Sequence, residues 1–270
     1  MPFNRREGAK TKRYKVILIF LLIFLAIRGV AAAGSLFGPP QSISQDTGGL
    51  HTGIGYWHHE DKYNGGVDYV TRQNQLYSEV GYGTKNRWDM YVRLGISDLN
   101  VADAFSSSSA ATGTLKNDFQ ENMNYYGTLG VKAFYPSGKI FGIGAFIQGT
   151  YYFRDFTDDV AGTQNGAPFT IELRMKNLWD VNFGVGIQAV VPYGLKIYLG
   201  PYVYYSEAKA SPSPKVTGLG LASGEMTIKN KASWGGFTGI EVPLAKGFRL
   251  NVEGQYSERL SAGAAVTYAY

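Results

Sequence analysis

Residues 248–257 read FRLNVEGQYS, and each side chain differs in character from the one before it. Phe248, Leu250, Val252 and Tyr256 fall on one side of an extended chain; Arg249, Asn251, Glu253, Gln255 and Ser257 fall on the other. A side-chain period of two belongs to a strand whose two faces meet different surroundings. The pattern recurs along the chain and predicts strands over about 50–59, 73–83, 88–99, 123–135, 140–154, 169–191, 195–208, 225–242, 248–257 and 261–270. The connections alternate too. Those at 60–72, 100–122, 155–168 and 209–224 are long and polar; those at 84–87, 136–139, 192–194 and 243–247 are short. Only the last long-side link, 258–260, breaks the alternation.

The amino-terminal end follows a different rule. Arg5, Arg6, Lys10, Lys12, Arg13 and Lys15 precede the apolar run VILIFLLIFLAI at 16–27, and Ala31-Ala32-Ala33 follows. A basic start, a short apolar middle and a small-residue exit predict a secretory signal peptide over 1–33, cut after Ala33. The run is well short of the ~20 residues needed to span a bilayer as a helix. Residues 34–49, rich in Gly, Pro, Ser and Gln, read as a flexible leader, and 50–270 as the folded domain. Seven of the 26 Lys/Arg and one of the 21 Asp/Glu lie within residues 1–33, leaving 19 against 20 beyond it. The basic balance therefore belongs to the export segment, and no nucleic-acid partner is implied. With no cysteine in the chain, disulfides, thiolate metal sites and a Cys nucleophile are excluded.

The chain ends SAGAAVTYAY, with Ala264, Val266, Tyr268 and Tyr270 on one face and small or polar residues on the other. An apolar terminal strand that stops on an aromatic resembles the carboxy-terminal assembly signal of bacterial outer-membrane β-barrels. That resemblance implies outer-membrane lipid and the barrel-assembly machinery as partners. The rhythm of short and long connections agrees with it. The fold expected is all-β: a transmembrane, antiparallel, up-and-down β-barrel of about ten strands, in the outer membrane of a Gram-negative-type cell.

In that orientation the apolar faces meet lipid and the polar faces meet the lumen. The expected lumen lining includes Glu79, Arg93, Lys132, Glu172, Arg174, Lys196, Glu241, Arg249 and Glu253. Trp88, Tyr135, Phe141, Phe248, Tyr268 and Tyr270 cluster at the short-turn ends of the apolar faces, as an interfacial aromatic girdle requires. On the opposite side Tyr56, Tyr125, Tyr151, Phe153 and Tyr205 form a second girdle. Many bulky rings, among them Tyr77, Tyr91, Tyr126, Phe146, Tyr198 and Tyr202, fall on inner faces. A ten-stranded bore is narrow enough for side chains to fill most of it.

Enzymatic readings find little support. Outer-membrane proteases of the omptin type place paired Asp residues and an Asp/His pair at the loop-side rim. Here His58-His59-Glu60-Asp61 and Asp158-Asp159 lie on that side, but their spacing does not match. Adjacent His58 and His59 point to opposite faces of a strand, so no metal site is expected. No nucleotide fingerprint or serine elbow is present, and no cofactor is expected. The reading is a non-enzymatic barrel with a structural or narrow-pore role. The alternatives are a transport channel for a small solute or small hydrophobe, and a soluble periplasmic lipid-binding barrel with its faces reversed.

Overall fold

A computed structural model describes residues 36–41, 43, 48–65, 68–85, 87–106, 112–164, 166–214, 224–244 and 247–270. The predicted signal peptide lies outside the described residues. Thirteen strands are present among the described residues: β1 (Gly49–Asn64), β2 (Asp68–Gly83), β3 (Trp88–Val101), β4 (Thr112–Thr114), β5 (Phe119–Ser137), β6 (Phe141–Tyr152), β7 (Phe156–Gln164), β8 (Ala167–Val190), β9 (Lys196–Pro214), β10 (Met226–Asn230), β11 (Trp234–Pro243), β12 (Phe248–Tyr256) and β13 (Leu260–Ala269).

Ten of them close a ring in the order β1-β2-β3-β5-β6-β8-β9-β11-β12-β13, each antiparallel to its neighbours. β13 completes it, pairing with β12 on one side and with β1 on the other, where Gly53 meets Thr267 and Trp57 meets Gly263. Closure leaves none of the ten with a free edge. Inside, rings lie over glycines of the next strand: a Cβ on Gly95 would come within 2.8 Å of the Tyr126 ring.

The long-loop end departs from the expected layout. Residues 60–64 and 68–72 are not loop but the ends of β1 and β2, paired as far as Asn64 and Asp68. The segment read as one strand over 225–242 is two: β10 ends at Asn230 and β11 starts at Trp234. β10 pairs with β9 through Ile228 and Ala208, and with β1 through Tyr63 and Asn230. It thereby bridges β9 to β1 past the ends of β11, β12 and β13. β7 lies along the first half of β8, and β4 lies along β7.

A single extra residue in β8 has the largest effect on placement. Pairing with β9 shifts between Lys176 and Trp179, and Asn177 adopts φ +50°. A bulge inverts the phase of the side chains beyond it. Below it Asn182 and Gln188 point inward; above it Leu173 and Met175 do. Glu172 and Arg174, expected in the lumen, therefore stand on the outer surface of the extension, paired with each other at 2.5 Å.

The interior of this extension is apolar. Leu99, Val101, Phe105, Phe119, Phe156, Val160, Leu173, Met175, Leu178, Ala208, Ala210 and Ile228 are all buried in one cluster. It reaches down to the rings of Tyr63, Tyr126 and Tyr152.

Candidate functional site

The bore has its chemistry arranged in levels. At the short-turn end Lys196 bonds Glu241 at 2.7 Å, with Arg249 3.5 Å from the same carboxylate. His51, on the inner face, lies 3.6 Å from both Glu79 and Asp89. Farther in, Arg93 Nε donates to Glu79 at 2.6 Å, and its guanidinium lies over the Tyr77 and Tyr91 rings. Lys132 faces Tyr91 and donates to the Pro39 carbonyl at 3.4 Å. Glu79, Arg93, Lys132, Lys196, Glu241 and Glu253 are all buried, each supplied from the polar face of its strand. Seven of the nine expected lining residues thus meet in the bore, and Glu172 and Arg174 do not.

Residues 36–41, part of the leader, occupy the same space. The two carboxylate oxygens of Glu253 accept the N–H groups of Phe37 and Gly38 at 2.9 and 2.8 Å. Arg93 donates to the Leu36 carbonyl at 2.6 Å, and Gln188 and Gln41 bond through their side chains at 2.9 Å. At the short-turn end the Ile43 N–H donates to Asp89 at 3.1 Å. Phe37 is fully buried, with the Phe146, Tyr202 and Phe237 rings 4.1–5.4 Å away between centroids. The sequence offered only Leu36, Phe37 and Ile43 among polar neighbours as a sign of this.

Above the leader lies a polar layer: His59, Asp61, Gln73, Tyr152, Asp180, Asn182, Tyr204 and Ser206 surround a cavity of about 10 Å³. That is room for about one water. The Tyr204 hydroxyl donates to Asp61 at 3.0 Å, and the Lys62 N–H to the same oxygen at 2.8 Å. Asp61 lies beyond the outward apolar stretch of β1, which ends at Tyr56. Burial pushes its carboxyl up to about 7 against those two donors. His59 bonds Gln73, and His58, on the opposite face, bonds Asn74. Asp158 is tied to Lys116 at 2.6 Å and to the Gln120 N–H at 2.7 Å. The loop-side His and Asp residues are therefore spread between a closed interior and the outer surface.

The outer wall decides the setting of all this. Leu50, Ile54, Leu76, Val80, Met90, Val92, Leu94, Leu129, Ile143, Ile147, Phe183, Ile187, Leu199 and Val203 are exposed on it, while Arg93 and Glu253 are buried within. Water would not tolerate so continuous an apolar belt. The fold is that of a transmembrane β-barrel. The soluble barrel with reversed faces is overturned by the same observation. Trp88, Tyr135, Phe141, Phe248 and Tyr270 are exposed at the short-turn rim, where Tyr268 packs between Phe248 and Tyr270 at 4.7 and 4.9 Å. Tyr56, Tyr125, Tyr151, Phe153 and Tyr205 rim the other end. By the usual disposition of such barrels the short turns are periplasmic and the extension is external.

The sequence matches no family model and no curated protein. Solved structures with a similar course of chain include the translocator domain of the autotransporter NalP from Neisseria meningitidis, at 13% identity over 98% of this chain and 97% of that one, TM-score 0.47. The outer membrane protease OmpT from Escherichia coli is 10% identical over 87% and 99%, TM-score 0.49. The toluene transporter TbuX from Ralstonia pickettii is 9% identical over 82% and 90%, TM-score 0.32. Their activities differ from one another, and none transfers to this barrel on such likenesses.

Proposed function

We propose that this protein is a closed, non-enzymatic outer-membrane barrel with a structural role, exported by residues 1–33 and assembled through β13. One observation carries the reading: among the described residues both halves of the bore are occupied. Paired charges and the leader fill the periplasmic half, a polar layer follows with one cavity of about 10 Å³ and a second of the same size at the edge of the apolar cluster, each with room for about one water, and apolar side chains pack the external half. Hydrogen bonds between non-neighbouring strands (Gln75 to Tyr152, Tyr91 to Gln148, Tyr204 to Asp61) and ion pairs between neighbouring ones stiffen the tube, and among the described residues they leave no continuous aqueous path of the kind that wider barrels provide. The lipid-facing belt and its two aromatic rims hold it in the membrane. His59 and Asp61 sit under the apolar cluster, away from any external substrate, which supports the non-enzymatic reading.

Planar-bilayer recording of the purified, processed protein tests it. The expected trace is flat at physiological salt. A reproducible single-channel conductance would replace this reading with the small-solute channel.

A further inference from the structure

The periplasmic half of the bore fits one short peptide in shape as well as in charge. Pro40 rests against Gly144 and Gly186, register partners on β6 and β8. A Cβ on those glycines would stand 2.7 and 3.1 Å from the Pro40 ring, so the wall is hollowed where the proline sits. Gly38 adopts φ +73°, and a Cβ there would lie 2.9 Å from Lys132 Nζ and 3.1 Å from Asn251 Nδ2. The peptide is thus small where the wall is full, and the wall is small where the peptide is full.

The polar contacts tell the same story. Glu253 is held by N–H and O–H donors: Phe37 and Gly38 of the leader, Gln255 at 2.8 Å and the Tyr198 hydroxyl at 2.9 Å. Without the leader this buried carboxylate would lose two of its donors, which is costly away from water. Phe37 fills the one cluster made by Phe146, Tyr198, Tyr202, Tyr204 and Phe237.

Direction matters as well. Ile43 lies at the periplasmic mouth by Asp89, and Leu36 lies deep, packed with Trp57 and Ala265. The segment enters with its amino-terminal end leading. Three residues before Leu36 is Ala33, the last residue of the predicted signal peptide. The bore beyond is occupied by Tyr126, Tyr152 and the apolar cluster. The uncut chain would have to lead with 33 further residues, including the apolar run at 16–27.

We infer that the periplasmic half of the bore is a peptide-binding site for a Leu-Phe-Gly-Pro-Pro segment with a free amino-terminal side, whose ligand is the chain's own leader, seated only after removal of residues 1–33. The cut is hydrolysis of the Ala33–Gly34 bond by an export peptidase. Water adds across the bond, leaving a carboxylate on Ala33 and an ammonium on Gly34. Docking then closes the periplasmic mouth as the last step of maturation. The inference extends the closed-barrel reading but stands apart from it, since a conducting barrel could still bind its leader.

The test uses the processed barrel and one lacking residues 36–45, with folding checked by heat-modifiable gel mobility. A fluorescent synthetic peptide of residues 34–41, GSLFGPPQ, is titrated into the shortened barrel in detergent. Saturable one-to-one binding is expected, weakened roughly tenfold or more by Phe37→Ala in the peptide. No binding to the folded barrel, or equal binding of the Phe37→Ala peptide, overturns the site. Because the chain has no cysteine, Leu36→Cys with Ala265→Cys provides a second readout that does not need the deletion to fold. A short bismaleimide should link them in the processed chain and not in one whose cut is blocked by Ala33→Arg. Failure to link in the processed chain overturns the site; linking in the uncut chain overturns the order of events alone.

Discussion

The barrel is one tube filled in two ways. Within the membrane its interior is charged and hydrogen-bonded, and part of the filling is the leader. In the external extension the interior is apolar, and the hairpins fill it themselves. The difference follows from what lies outside. In lipid, apolar residues are spent on the outer wall, so polar ones must face in and satisfy each other. Beyond the lipid the outer wall meets water, and the ordinary inside-apolar arrangement returns. β8 makes the change by a single residue at Asn177, which lets Val181 face lipid and Leu173 face the interior on the same strand.

The contrast is broken most severely at Arg93. Its guanidinium neutralises Glu79, holds the Leu36 carbonyl and covers two tyrosine rings, all away from water. Arg93→Met leaves a buried carboxylate without its guanidinium, facing His51, a loss of roughly 3–5 kcal/mol. Urea unfolding in micelles should show it, and the double change Arg93→Met, Glu79→Leu should recover most of it. If the single change costs nothing, the lumen is wetter than its packing indicates.

Phe156→Ala tests the other filling. The ring is fully buried in the external cluster, beside Tyr152 at 5.4 Å between centroids. Its removal should cost about 3 kcal/mol. The loss should be local: external hairpins cut by added protease while the membrane ring keeps its heat-modifiable mobility. Loss of the whole ring would show the two halves to be one cooperative unit.

The sequence showed these halves unequally. The ring, its closing strand and its outward face were legible because lipid imposes a strict alternation over every strand that crosses it, as at residues 248–257. The extension was not, because its apolar residues are sparse. Val101, Phe105, Phe119, Phe156 and Val160 sit among polar neighbours and gain a common core only when distant hairpins meet. The misplacing of Glu172 and Arg174 has a sharper cause: a bulge leaves no mark on composition, so the pattern of β8 continues on paper with its faces exchanged. The leader was read from its Gly and Pro content, which describes its backbone and not the cavity waiting for it.

Asp61 lies where the two fillings meet, and pH should read it. In the unfolded chain an aspartate titrates near 3.9; here burial sets it at about 7. Between those values the unfolded state has released a proton that the folded state keeps. Stability contributed at this position is therefore full below pH ~4, falls as pH rises to about 7 and is level above. Linkage sets the most this can be worth at about 4 kcal/mol, and partial relaxation should bring it nearer 2. Asp61→Asn should flatten the slope and raise stability at pH 8. A slope unchanged in the variant would assign the pH dependence to other groups.

Arg174 supplies the smallest effect and the closest control. It makes an Arg–Glu contact as short as that of Arg93, to Glu172 at 2.5 Å, yet its side chain is 51% exposed where that of Arg93 is 3%. Water already solvates the Arg174 guanidinium, and ordering two long side chains offsets the attraction. Arg174→Ala should change stability by less than about 0.5 kcal/mol, and added salt should erase even that. The two pairs share residue types and geometry, so their difference isolates the surroundings. A large loss at Arg174 would put it back inside the tube, with the bulge at Asn177 misplaced and the boundary between the two fillings moved outward.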